Sequence, residues 1–145
     1  MLAAARQQLA ATAGEILAES GIYETAAWGR EDQPAYFNQV LAVRTGLRPE
    51  ALLAACQAAE QAASRQRLEH WGSRTLDVDI LLFGAEIIDS PTLTVPHPRL
   101  PVRRFALVPL AEIAKALRHP QLYETIETLL RHCPDPLAVL PWNGE

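Results

Sequence analysis

Two aspartates, Asp77 and Asp79, stand two residues apart in a β-rich run over residues 75–83. In an extended chain alternate side chains point the same way, so both carboxylates share one face, roughly 7 Å apart along the strand. An isolated Asp-x-Asp is more often the solvated half of an amphipathic strand. Here Leu81 and Phe83 continue the same face, while Leu76, Val78, Ile80 and Leu82 fill the other. That pattern predicts a strand covered on both sides. Two close carboxylates in a partly buried place need cations to offset desolvation and mutual repulsion. Arginine can supply them, and so can magnesium, which one or two carboxylates commonly hold together with water and substrate phosphates. Arg65, Arg67 and Arg74 flank the run in what reads as a loop, which by itself could be no more than a solvated basic segment. Paired aspartates beside arginines have the composition of a phosphoryl-transfer site. No GxxxxGK[ST] sequence is present, so guanidinium groups must provide the charge compensation that a glycine-rich cradle gives elsewhere.

Tyr36 and Asn38 also share a strand face and offer a flat ring beside an amide that both donates and accepts, which suits a planar heterocycle. Taken alone, such a pair is more often an ordinary exposed face. His97, in Val-Pro-His-Pro, reads first as a loop histidine satisfied by the backbone.

The elements that must position these groups follow from periodicity. Residues 2–19 carry Leu9, Ala13, Ile16 and Leu17 at helical spacing and predict a first helix closed by Ser20-Gly21. Residues 22–27 and 35–45 predict two strands paired as a hairpin with a long connection. Pro49 suits the first turn of a second helix ending near Ser64, followed by the arginine loop and the strand over 75–83. Gly84-Ala85 turns the chain into a short partner strand at residues 86–88, and four prolines make the stretch up to Val102 a loop. Helical pieces are predicted over 105–116 and 123–132. This order predicts an α+β sandwich, helices on an antiparallel sheet, resembling a ferredoxin-like βαββαβ pattern whose first strand is missing.

At 145 residues the chain fits a single domain, 1–145. Its net charge of -4 argues against a general nucleic-acid binder. Twelve of its 13 basic residues are arginine, so phosphate recognition would fall to planar forks. Cys56 and Cys133 lack metal-type spacing and read as buried thiols, and no run is long and apolar enough to span a bilayer. A reduced, cytoplasmic protein is expected.

Together these segments resemble the 6-hydroxymethyl-7,8-dihydropterin pyrophosphokinase family, whose metal-strand signature runs approximately W-G-P-R-x-x-D-x-D-I-L. Here it stands as residues 71–81, from Trp71 to Leu81, with Ser73 in place of proline. Further matches lie at residues 23–25, 32–38, Gln57 and Glu60, Arg65 and Arg67, 95–99 and 103–110. The resemblance implies transfer of diphosphate from ATP to the hydroxymethyl oxygen of the pterin, releasing AMP, in folate synthesis. It further implies two Mg2+ ions on Asp77 and Asp79, with Arg65 and Arg74 offsetting charge on the transferred group. ATP contacts fall to Gln57, Glu60, Arg65, Arg67, Trp71, Arg74, Ile80, His97 and Arg103. The pterin falls to Thr25, Trp28, Tyr36, Asn38, Trp71, Asp77 and Phe105, with Tyr36 and Phe105 on either side of its ring. Small-molecule partners alone are expected, with no nucleic acid and no membrane, and a monomer unless a partner or swapped element fills the sheet.

The family pattern opens with a strand and a Gly-Ser-Asn loop, whereas this sequence starts inside the first helix, and a shortened copy of a complete enzyme is the expectation. The alternatives are an impaired pterin or nucleotide binder and a noncatalytic ferredoxin-like interaction domain.

Overall fold

In the computed structural model residues 1–25, 35–70 and 76–143 are described, except for the side chains of 66–70. Helix α1, Leu2–Thr12, is built from alanine, glutamine and leucine and buries Ala5 and Leu9. It stops well short of the expected Glu19. Gly14 has φ 151°, and a Cβ there would lie 2.1 Å from the Arg44 carbonyl oxygen. Glycine therefore lets the chain leave the helix against its neighbour and enter strand β1, Glu15–Glu19. The predicted long strand over 35–45 is likewise two strands, β3, Tyr36–Asn38, and β4, Leu41–Arg44, broken at Gln39-Val40. β1 pairs antiparallel with β4 in the register Glu15↔Arg44 and Ile16↔Val43, with an irregularity between Ile16 and Ala18. β2, Tyr23–Thr25, pairs antiparallel with β3 as the hairpin reading expected.

Helix α2, Pro49–His70, begins on the proline and continues past Ser64, so Arg65 and the backbone of Arg67 belong to a helix and not to a loop. α1 packs on α2 around Leu9, Ala13, Cys56 and Ala59. Residues 76–83 run extended beyond it but join no ladder among the described residues, which corrects the expected paired strand. A turn follows, with Glu86 N donating to Phe83 O at 3.0 Å. The short strand β5, Ile88–Asp89, then pairs with β6, Thr94–Val95, inside the proline-rich stretch instead of with 75–83.

A short 3-10 turn, Leu100–Val102, leads into α3, Arg104–Ala114, and then α4, Ile126–Arg131. Both helices are shorter than the periodicity suggested. Thr125 caps α4, its side chain accepting from Thr128 N at 3.2 Å. The final strand β7, Val139–Pro141, had no signal in the sequence reading; it completes a sheet in the order β3-β2-β7, with Trp142 against Phe37 at a ring separation of 4.9 Å. α3 covers this sheet and shares a core of Leu100, Leu107, Leu110, Ile126 and Leu129 with α4. The architecture is α+β, helices packed on antiparallel strands.

Between the two apolar clusters lies the extended segment. Val78 and Ile80 pack on the α1–α2 cluster, and Leu81 and Leu82 on the α3–α4 cluster.

Candidate active site

Residues three and four apart share a helix face, so Gln57, Glu60, Gln61 and Ser64 form one stripe along α2, with Arg65 beside it. That stripe and the start of the extended segment form an open groove of about 550 Å³, lined by Glu60, Gln61, Ser64, Arg65, Leu76 and Asp77. One contact fixes their spacing: the Glu60 carboxylate (Oε2) accepts from the backbone N–H of Val78 at 2.6 Å. That amide lies between the two aspartates. The tie holds the segment against α2, with Leu76, Val78 and Ile80 half-buried and Asp77 and Asp79 exposed. The expectation of a partly buried aspartate pair is thereby corrected. Among the described residues the ion pairs are Arg6–Glu19, Arg44–Glu15 and Arg131–Glu127, so neither aspartate is neutralised by one. No group of three or more His, Cys, Asp and Glu side chains gathers among those residues. Two outward carboxylates with no ion-pair partner among the described residues make an oxygen-only donor set that leaves most positions of a cation open. This suits magnesium shared with phosphates and does not suit zinc.

His97 follows a cis Val95–Pro96 bond and is anchored by its N–H to Leu81 O at 2.9 Å, while its Nδ1 accepts from Arg99 N at 3.2 Å. Burial lowers the His97 pKa; Asp79 opposes that shift, and Arg103 and Arg99 add to it. On the other side, burial with Glu60 and Asp79 pushes the Cys56 thiol up to about 11. Asp79 is thus within electrostatic reach of both α2 and the His97 turn. The Arg103 guanidinium lies 5.5 Å from the Phe105 ring centroid, a cation–π contact at the start of α3. Ile80 turns its side chain into the α1–α2 cluster, away from the aspartate face.

A second cluster lies on the β2–β3 hairpin. Thr25 pairs with Tyr36 and Tyr23 with Asn38, which puts all four side chains on one sheet face. Tyr23 reaches Glu112 of α3 from that face, so it is turned toward the helix that carries Phe105. Thr25 is buried, and its hydroxyl has no partner among the described residues. Tyr36, beside it, is 60% exposed, a broad ring left open at the sheet edge. A buried hydroxyl with no partner among the described residues, beside an exposed ring, is an arrangement that a flat polar ligand would complete. Trp28, Trp71 and Arg74 lie outside the described residues, as does the Arg67 side chain. Gln61 and Ser64 line the groove but were not singled out from the sequence. The i, i+4, i+7 spacing from Gln57 marks them once α2 is known to run on to His70.

A carboxylate pair outside any ion pair among the described residues, with Asp77 on a groove shared with an arginine-bearing helix, defines a site of the phosphoryl-transfer class. The model of the 7,8-dihydro-6-hydroxymethylpterin-pyrophosphokinase family matches residues 1–115, and the chain belongs to that family. Proteins named 2-amino-4-hydroxy-6-hydroxymethyldihydropteridine pyrophosphokinase share 43% identity over 129 residues in Pseudomonas aeruginosa, covering 89% of this chain and 75% of that one. The Haemophilus influenzae protein of that name is 45% identical over 105 residues, covering 72% of this chain and 66% of that one. The one from Synechocystis is 42% identical over 135 residues, covering 92% and 68%.

Proposed function

We propose that this chain transfers the diphosphate of ATP to the hydroxymethyl oxygen of 6-hydroxymethyl-7,8-dihydropterin, releasing AMP, as a step of folate synthesis. The observation that carries the reading is the outward pair Asp77 and Asp79, held by Glu60 and free of ion pairs among the described residues, with Asp77 sharing a groove with Arg65. In the reaction an oxygen–phosphorus bond forms at the β-phosphorus while the bond from that phosphorus to the oxygen of the departing AMP breaks, and the hydroxyl loses its proton. Arg65 at the groove mouth binds phosphate oxygens and offsets the charge that develops on the transferred group. Arg74 takes the same role by family resemblance. Gln57, Glu60, Arg67, Trp71, Ile80, His97 and Arg103 line the ATP path in this reading. Thr25, Trp28, Tyr36, Asn38, Trp71, Asp77 and Phe105 receive the pterin, whose ring lies between Tyr36 and Phe105. Asp77 and Asp79 would hold magnesium, two ions in this reading, which supplies neutralisation of the triphosphate when bound.

The chain is further proposed to act as one domain over 1–145, as a monomer in the cytoplasm. No helix among the described residues is long and apolar enough to cross a membrane.

The test is to incubate the chain with magnesium, ATP and the hydroxymethyl pterin and to follow AMP and pterin diphosphate. Both should appear in equal amounts, and Asp77→Ala should lower turnover on the order of a thousandfold through lost metal and phosphate binding. If the wild-type chain binds both ligands but releases no AMP, the assignment as a transferase is wrong and an impaired binder remains. If the Asp77→Ala variant keeps near-normal rate, the metal role is wrong.

A further inference from the structure

Glu112 lies on α3 at the same helix face as Phe105, seven residues away, which is close to two full turns. Its carboxylate joins elements about ninety residues apart in sequence. Oε1 accepts from the Tyr23 hydroxyl at 2.5 Å, and both oxygens accept from the Gly21 N–H, at 3.2 and 3.1 Å. Gly21 and Tyr23 are the approach to β2 and its first residue, and β2 ends on Thr25. The contact therefore connects the helix that carries Phe105 to the strand that carries Thr25 and, through its ladder, Tyr36 and Asn38.

We infer that Glu112 is a positioning residue for the pterin, setting the distance between the Phe105 wall and the Thr25–Tyr36 wall of its site. The inference rests on the pterin placement proposed above. A sandwich binds a flat ring well only at one wall spacing, and two short elements packed through side chains alone can slide by a fraction of an ångström. A carboxylate that accepts from a backbone N–H and a phenol fixes both the height and the lean of α3 over the strand. The hydroxyl also stays a donor at any working pH, because Glu112 and burial push the Tyr23 pKa up to about 12. Nothing in this contact touches the α2 groove, so its loss should leave ATP binding alone.

The experiment measures KM for the pterin, KM for ATP and the thermal midpoint in the full-length chain carrying Glu112→Ala, Glu112→Gln, Tyr23→Phe and, as a reference, Tyr36→Ala. Glu112→Ala should raise the pterin KM roughly fivefold, the scale of one hydrogen-bonded tie, with the ATP KM within about twofold. Glu112→Gln keeps an acceptor oxygen and should stay within about twofold of the wild type for both. Tyr23→Phe should raise the pterin KM less than Glu112→Ala does, since the Gly21 bonds persist, and should add nothing when combined with it. If Glu112→Ala raises both KM values together, or neither, while Tyr36→Ala weakens the pterin alone, the positioning role is refuted and the pterin placement stands. If Tyr36→Ala leaves the pterin KM unchanged, the placement itself fails and takes the positioning role with it. Should Glu112→Ala fold poorly, the Tyr23→Phe comparison decides: no change in pterin KM overturns the inference.

Discussion

Asp77 and Asp79 are exposed, while the carboxylate that holds them in place, Glu60, is partly buried, so the three acids should answer differently to substitution. Removing the Glu60 side chain leaves the Val78 N–H without its acceptor in a half-buried position, a loss of about 1–3 kcal/mol. Asp77→Asn removes an exposed charge outside any described ion pair and should change stability by less than about 0.5 kcal/mol. Chemical denaturation of the two variants checks this: Glu60→Ala should shift the midpoint to lower denaturant and Asp77→Asn should not. Equal shifts would mean that the 2.6 Å contact does not hold the segment. The aspartate pair is legible in the sequence because a two-residue spacing on an extended chain needs no tertiary information. The Glu60 tie is not legible there, and the family resemblance marks that residue only as an ATP contact, because nothing local shows that a side chain on one element will accept from a backbone amide 18 residues later.

The elements around the site show where local pattern stops deciding structure. Residues 15–19, Glu-Ile-Leu-Ala-Glu, are good helix formers, and the helical reading carried α1 through them. The ladder with β4 overrides that propensity, and the signal for the change was Gly14, a glycine at the end of an apolar-periodic run. The extension of α2 to His70 was hidden in the same way, since an arginine-rich end with little apolar pattern reads as a loop. The connection between α3 and α4 allows a test by pH. His119 there is 3% exposed, and its Nδ1 accepts from Gln121 N at 3.2 Å and Leu122 N at 3.1 Å. Burial lowers its pKa from the ordinary 6.5, and the protonated ring could not accept those bonds. The unfolded chain therefore takes up this proton more readily than the folded one. Its contribution is complete above pH 6.5 and is lost as pH falls through the folded-state value. His97 is lowered as well and acts in the same sense. An asparagine can accept the same two amides without titrating. His119→Asn should therefore keep most of its stability at pH 7.5 while the decline below pH 6.5 becomes shallower, as unfolding midpoints across that range would show. An unchanged acid limb would mean that the loop does not depend on a neutral ring.

At the scale of the whole molecule the extended segment 76–83 is the seam, because it gives Val78 and Ile80 to one apolar cluster and Leu81 and Leu82 to the other. The sequence showed that this run would be apolar around its acids, but not that consecutive residues would serve two separate cores. That division depends on where α1 and α3 come to rest. A shared seam has a thermodynamic consequence. If either cluster loosens, the segment loses its footing on one side, and the Glu60 contact and the α2 groove go with it. The two clusters should therefore unfold in one transition. Val78→Ala weakens contacts with the α1–α2 cluster and Leu81→Ala those with the α3–α4 cluster, at a cost of about 1–3 kcal/mol each for half-buried side chains. For a chain of this length, each kcal/mol lowers the thermal midpoint by roughly 3–4 °C. Calorimetry should show a single peak moving down in both variants, with calorimetric and van't Hoff enthalpies equal. Saturating magnesium-ATP should move that same peak up, by roughly 8–11 °C at a hundredfold excess over its dissociation constant. Two peaks, with Val78→Ala shifting one and Leu81→Ala the other, would show that the aspartates sit on a hinge between separately stable parts. The groove would then need ligand to assemble, instead of standing ready for it.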